Sequence, residues 1–314
     1  MKVSVWITAY NHERFIEQAL DSVLRQKTNF DFEVVIGEDC SSDRTREIIL
    51  RYKAQYTDKI KLFLPDKNLG VNPMFYASFP LCDGDYIAWL DGDDYWTDDY
   101  KLQKQVDFLE QNPEFVMCTH KLYVQDEILN ISYESEDEGG DNENILTIRD
   151  FLEIRNPVFP VSVIHRNVLG GKLPEWFKTL PFADLGFYFL LFKYGVVKQL
   201  KDNMAVYRIH KAGSYQGNTE YKNFNDLLSF FQILVQHIDP ALKEQIEATI
   251  CRLSLILLKM NMEKRKFKEA WKNLDCLKTN HFKQVDKYLW KSLKKSTPTY
   301  IKHPFKRIAS IFNG

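Results

Sequence analysis

Glycine-rich phosphate cradles are missing from this 314-residue chain. No Gly-x-Gly-x-x-Gly follows the first apolar run, Val3 to Thr8, and no Walker loop ending in Gly-Lys-Ser/Thr occurs anywhere. A bound phosphate would therefore need a cation rather than a ring of backbone amides. Cysteine is sparse: Cys40, Cys82, Cys118, Cys251 and Cys276 are scattered, odd in number and never at metal-ligand spacing. That excludes a disulfide framework or a zinc cluster and fits reduced thiols in a cytoplasmic protein. No apolar stretch reaches the roughly 18 residues of a membrane-spanning helix. The nearest, Leu227 to Ile238, is interrupted by Ser, Gln and His. The first apolar stretch is too short, and too soon followed by Asn11-His12-Glu13-Arg14, for a signal peptide. The net charge is only −1, so nucleic acid is not an expected partner. Zinc-protease and Ser-His-Asp arrangements are not evident either.

What is present is an alternation of short apolar runs with helical periodicity. Val3 to Thr8, Glu33 to Asp39, Ile60 to Leu64 and Tyr86 to Leu90 read as strands. Between them, Phe15, Ile16, Ala19, Leu20, Val23 and Leu24 recur at helical spacing, and Ser41-Ser42-Asp43 offers caps for a second helix. Lys101 to Leu109 is a further helix. Strand–helix alternation implies a mostly parallel α/β sheet with helices on both faces. Beyond Phe115 the pattern is mixed: a helix start at Thr147 to Asp150, a strand at Val161 to His165, an aromatic-rich helix at Phe182 to Tyr194, and strands over Val196 to Ile209. From about residue 222 the signal is helical, over Leu227 to His237, Leu242 to Met262 and Phe267 to Leu277. This gives two expected domains, 1–221 and a helical, basic C-terminal extension, 222–314.

Charge is unevenly placed. Residues 134–144 hold about six acids and no base, which reads as a solvated loop. From Lys259 onward about fifteen Lys/Arg face about four Asp/Glu. Residues 286–314 mix those cations with Trp290, Tyr300, Phe305 and Phe312, and Pro298 and Pro304 split them. Such a segment suits either peripheral attachment to an anionic membrane, at about 1 kcal/mol per basic residue, or a helical extension with a solvated basic face.

The chemistry concentrates at strand ends. The run Tyr86-Ile87-Ala88-Trp89-Leu90 stops at Asp91-Gly92-Asp93-Asp94, and another strand stops at Glu38-Asp39. In an open parallel sheet ligands bind beyond the carboxyl ends of the strands. Several carboxylates gathered there repel one another unless a cation or a donor-rich ligand compensates. Oxygen ligands suit a hard divalent ion, Mn²⁺ or Mg²⁺, which keeps positions open for phosphate oxygens. A solvated turn with capping acids is the simpler alternative for an isolated Asp-x-Asp.

Taken in order, "VSVWITAYNHERFIEQALDSVLRQ", "EVVIGEDCSSDRTREII", "GDYIAWLDGDDYW" with "KLQKQVDFLEQNP", and "YRIHKAGS" resemble family 2 glycosyltransferases of the nucleotide-diphospho-sugar (GT-A) fold. The resemblance covers about residues 2–125 well and 145–215 more thinly. It implies an inverting transfer of sugar from a nucleotide donor, UDP being the first expected, to a glycan or lipid-linked saccharide in surface polysaccharide synthesis. It implies that Thr8, Ala9 and Tyr10 line the nucleoside, that Asp39 bonds the base, that Asp91 lies near the ribose and that Asp93 ligates the metal. By the same resemblance His210 completes the metal shell and Asp184, in "PFADLGFYF", is the base. Ala183 stands where the family often has Glu. Lys67 is a candidate for the diphosphate and Trp96 for the acceptor or donor pocket. For Asp184 the alternative is a helix cap; for His210, Lys67 and Trp96 it is a structural or surface residue. Two rival functions are a nucleotidyltransferase, which usually carries an early Gly-rich basic loop unlike "TAYNHERF", and a non-catalytic nucleotide-sugar binding module.

Overall fold

The computed structural model describes residues 1–135, 144–152, 156–213, 218–266, 268–270 and 272–273. It divides into two compact units, Met1–Gly217 and Asn218–Gly314. The first unit begins with β1 (Val3–Ala9), α1 (Ile16–Leu24), β2 (Phe32–Glu38), α2 (Thr45–Gln55), β3 (Ile60–Phe63), α3 (Val71–Ser78) and β4 (Tyr86–Asp91). It continues with β5 (Tyr95–Trp96), α4 (Lys101–Gln111), β6 (Phe115–Asp126), β7 (Ile131–Glu134), β8 (Ile145–Leu146), β9 (Ile164–Arg166), α5 (Ala183–Leu191) and β10 (Val196–Ile209). The sheet order is β3-β2-β1-β4-β9-β6-β10-β5, with β7 added to β6 and β8 to β10.

The first four strands in this order are parallel to one another. Their near-continuous apolar runs follow from burial on both faces. The pleat divides β1 between two cores. Val3, Val5 and Ile7 join Ile16, Leu20, Ile49, Leu102 and Val106 of α1, α2 and α4. Trp6, pointing the other way, packs against Phe75 of α3, Phe79 just after it, and Phe187 of α5. Helices thus cover both faces, as the alternation predicts.

The second half of the sheet departs from the expected pattern. β9 runs antiparallel to both β4 and β6, while β6 and β10 are parallel. The stretch expected as a strand from Val161 is a short 3₁₀ turn, Pro160–Ser162, followed by only three strand residues. Pro at the start of that turn lacks the N–H a ladder needs. The helix start expected at Thr147 is a 3₁₀ turn, Asp150–Leu152. Val196 to Ile209, expected as strands, forms the single 14-residue β10, whereas the 12-residue β6 has no counterpart in the sequence pattern.

Acids buried in the parallel strands are all paired. Glu33 accepts from Ser4 Oγ at 2.6 Å and Lys61 Nζ at 2.8 Å. Glu38 accepts from Arg46 and, at 2.6 Å, from the Ser41 amide. Such pairing is the condition for keeping a charge in a low-dielectric core.

In the second unit α6 (Glu220–Leu234) is capped by Thr219, whose hydroxyl accepts from the Lys222 amide at 3.3 Å. It packs on α7 (Lys243–Glu263). α6 starts earlier than the expected Leu227, because Thr219 supplies the cap. The basic tail, residues 286–314, and most of the predicted helix Phe267 to Leu277 lie outside the described residues, as does most of the acidic loop.

One buried cation stands out in the first unit. Lys101 is fully buried, bonds Gln105 Oε1 at 2.7 Å and lies 4.2 Å from the centre of the Trp96 ring. Burial lowers its pKa to about 7. The unfolded amine keeps its proton up to about 10.5. Between those values the unfolded chain holds the extra proton, so this group makes stability rise with pH across that window. Lys101→Met should therefore stabilise the protein at pH 7, by on the order of 1–3 kcal/mol, with the advantage shrinking towards pH 10. Urea denaturation at both pH values checks this; a destabilised variant at pH 7, or a difference that does not change with pH, contradicts it.

Candidate active site

Strand register places the site. Thr8 and Asp91 are neighbours across β1 and β4, and Thr8 Oγ1 donates to Asp91 Oδ1 at 2.6 Å. Asp91 shares the pleat face of Trp89, two residues earlier. Trp89 stacks on Tyr188 at 5.6 Å and meets Phe187 edge-on at 4.9 Å. α5 therefore lies over the end of β4, and Asp184 sits in its first turn.

The turn after β4 is tight. Gly92 donates to the Thr8 carbonyl at 2.8 Å, and Asp94 donates to the Asp91 carbonyl at 3.0 Å. A Cβ on Gly92 would meet His12 Nδ1 at 2.9 Å and Ile16 Cδ1 at 3.0 Å. Glycine is needed here for close approach to the β1–α1 loop.

Asp93 Oδ2 lies 3.0 Å from His210 Nε2 and 3.6 Å from His12 Nε2. Asp94 is buried and accepts from the Arg208 amide at 2.8 Å. The Arg208 guanidinium donates to the Asp93 carbonyl and to Gln18 Oε1, the latter at 2.5 Å, and lies 4.4 Å from the Tyr95 ring. The end of β10 thus clamps the acidic turn from the far side of the sheet.

The electrostatics follow from this crowding. Burial and the charge of Asp93 push Asp91 up to about 7, with Asp184 adding to the effect and the Thr8 bond opposing it. Burial also acts on Asp93, yet His12 and His210 outweigh it and hold that carboxyl below the usual range. Asp94 is lifted well above the usual range by burial and its two acidic neighbours. Burial lowers the His12 pKa. Asp184 is raised by burial, against backbone bonds and a 2.8 Å bond from Asn156 Nδ2. Asp91 thus feels the charges of both Asp93 and Asp184.

Asp39 is placed separately, at the end of β2. Its two oxygens accept from the Leu69 and Gly70 amides at 2.7 and 2.9 Å, and burial raises its pKa. Lys67 is exposed in that same loop. Ala9 is buried and Tyr10 exposed, next to Asn11 in a left-handed conformation (φ 57°). Trp96 is fully buried, and its Nε1 donates to the Val161 carbonyl at 3.0 Å. Its pairing with Ala205 on β10 turns the ring inward, so it packs in the core rather than lining a surface pocket. A cavity of about 390 Å³ opens beside His210, between Asn11, Arg14, Phe15, Glu127 and Lys211.

The arrangement fits a divalent ion in a limited way. Among the described residues no group of three or more His, Cys, Asp and Glu side chains encloses one. Asp93 and His210 would supply two ligands, and phosphate oxygens the rest, which is the usual manner for Mg²⁺ and Mn²⁺. The sequence reading missed His12, Asp94, Arg208 and Asn156. The alternation of Arg208 and His210 along one strand face was the available signal for Arg208. For the others the partner is set only by tertiary contact.

A profile described as "Glycosyl transferase family 2" matches residues 4–170. An uncharacterized protein of Mycobacterium tuberculosis is 32% identical over 224 residues, 67% of this chain and 60% of its own length. The chain thus aligns with less than two thirds of that relative. S. aureus TarS 1–349, solved in complex with UDP-GlcNAc, aligns with a TM-score of 0.66 at 18% identity, covering 90% of this chain and 82% of that one. The mannosyltransferase PcManGT from Pyrobaculum calidifontis, solved with GDP-Man and Mn²⁺, aligns at 0.57 and 15% identity, over 94% and 79%. At these identities the two structures establish the shared fold, GT-A.

Asn156 donates to the charged form of Asp184, so Asn156→Ala should raise the Asp184 pKa further. Carboxyl-carbon NMR titration reads this directly. A pKa that stays in place or falls removes Asn156 as a stabiliser of that carboxylate.

Proposed function

The chain belongs to glycosyl transferase family 2, and on that premise we propose that it is an inverting, metal-dependent glycosyltransferase. Its donor is a nucleotide-diphospho-sugar, UDP being the first nucleotide to test. Its acceptor is a glycan or a lipid-linked saccharide, as in surface polysaccharide synthesis. The observation that carries the reading is the acidic turn at the end of β4, where Thr8 bonds Asp91 and His210 bonds Asp93, with Asp184 in the first turn of the helix packed over that strand. The UDP-sugar in TarS and the Mn²⁺ in PcManGT, two proteins of like fold, support the choice of ligands.

In this reading Asp93 and His210 hold the divalent ion, and Asp91, oriented by Thr8, lies near the ribose. Asp39 faces the base, Thr8, Ala9 and Tyr10 border the nucleoside, and Lys67 reaches towards the diphosphate. When bound, the ion stabilises the negative charge that grows on the departing nucleoside diphosphate. Asp184 takes the proton of the acceptor hydroxyl as the new C–O bond forms and the bond to the phosphate oxygen breaks. Burial makes it a stronger base than an exposed aspartate. Attachment of the basic tail to an anionic membrane belongs to the same reading and rests on the sequence of residues 286–314 alone.

Titration calorimetry with UDP should show binding strengthened by Mn²⁺, and Asp93→Ala should abolish that enhancement. Metal-independent binding unaffected by Asp93→Ala discards the metal-diphosphate site. Asp184→Asn should keep donor binding while turnover falls by about 10²–10⁴-fold. Retained turnover rejects Asp184 as the base.

A further inference from the structure

Tyr188 carries a hydroxyl that packing does not explain. It lies one helical turn after Asp184 on α5, and it is fully buried. Its ring is fully engaged, stacked on Trp89 at 5.6 Å and edge-on to Phe151 at 5.7 Å. A phenylalanine would fill that volume equally well. Its hydroxyl has no hydrogen-bond partner among the described residues. Leaving a buried O–H unpaired costs about 1–3 kcal/mol.

Helix geometry directs where that O–H can act. Side chains four residues apart share a face, and each leans towards the helix N-terminus. Tyr188 therefore reaches back to the turn that holds Asp184. Burial and then the charges of Asp184 and Asp91 raise the phenol well above its ordinary range, so it is a permanent donor at working pH. The other titratable group packed here is His165 on β9, near Trp89 and Phe187; burial lowers it to about 4, so it is neutral. Among the described residues the base has one acid nearby, Asp91, one neutral amide bonded to it, Asn156, and one uncommitted donor on its own helix face, the Tyr188 hydroxyl.

We propose that Tyr188 is a positioning residue for the base: its hydroxyl donates to the Asp184 carboxylate during transfer, keeping it ionised and aimed at the acceptor. Asn156 holds one carboxylate oxygen from the loop side. Tyr188 fixes the carboxylate from the helix side. The inference rests on Asp184 being the base of the reaction proposed above.

The test is Tyr188→Phe in the full-length protein, beside Asp184→Asn in the same assay. Without the donor, the charged form of Asp184 loses support, so its pKa rises and the acidic limb of kcat moves to higher pH. The expected shift is about half to one pH unit, with kcat down about tenfold, donor KM within about twofold of wild type and a melting temperature at or above that of wild type. A residue that merely filled the core would leave the pH limb in place. A kcat and acidic limb matching wild type in Tyr188→Phe, with Asp184→Asn inactive, overturns the role of Tyr188 alone. An active Asp184→Asn instead overturns the assignment of the base.

Discussion

The structure turns on the cost of half-burying Asp91 and Asp93 two residues apart. Two carboxylates at that spacing, largely withdrawn from water, do not ionise together without help. The fold meets that cost unevenly. Asp93 keeps its charge because His12 and His210 converge on one of its oxygens. Asp91 has only the Thr8 hydroxyl and drifts up to about 7. A site so poised gains most from an added positive charge, which is why a divalent ion accompanying a diphosphate suits it.

The surrounding elements read as consequences of that placement. Parallel strands bring Thr8 and Asp91 level. Glycine at 92 lets the turn press against the β1–α1 loop, where His12 waits. β10, returning parallel to β6, delivers Arg208 to the acidic turn and His210 to Asp93. Trp89, on the same face of β4 as Asp91, carries α5 and so brings its first turn, with Asp184, over the end of that strand. In the proposed reading two tasks fall on two elements: charge compensation on the end of β10, together with His12, and proton transfer on α5.

Much of this was legible in the sequence. The strand ends at Asp39 and Asp91 announce themselves because an apolar run stops abruptly in acid. Asp184 shows as an acid in the first turn of an aromatic helix. β9 was expected to start too early, at Val161, because a proline turn occupies Pro160–Ser162 before its three strand residues. β6 was obscured because Thr119, His120 and Gln125 break its alternation. Trp96 looked accessible from its place beside the aspartates, yet pairing with a strand more than a hundred residues away turns it into the core. Arg208 and His12 gain meaning only through that same long-range closure.

Every role assigned to the acidic turn depends on the Asp93–His210 pair holding an ion. Anomalous diffraction from crystals soaked with Mn²⁺ and UDP addresses it directly. The expected result is one strong peak about 2.0–2.3 Å from a carboxylate oxygen of Asp93 and a ring nitrogen of His210. No peak there at full nucleotide occupancy, with Asp93 still bonded to His210, would contradict it.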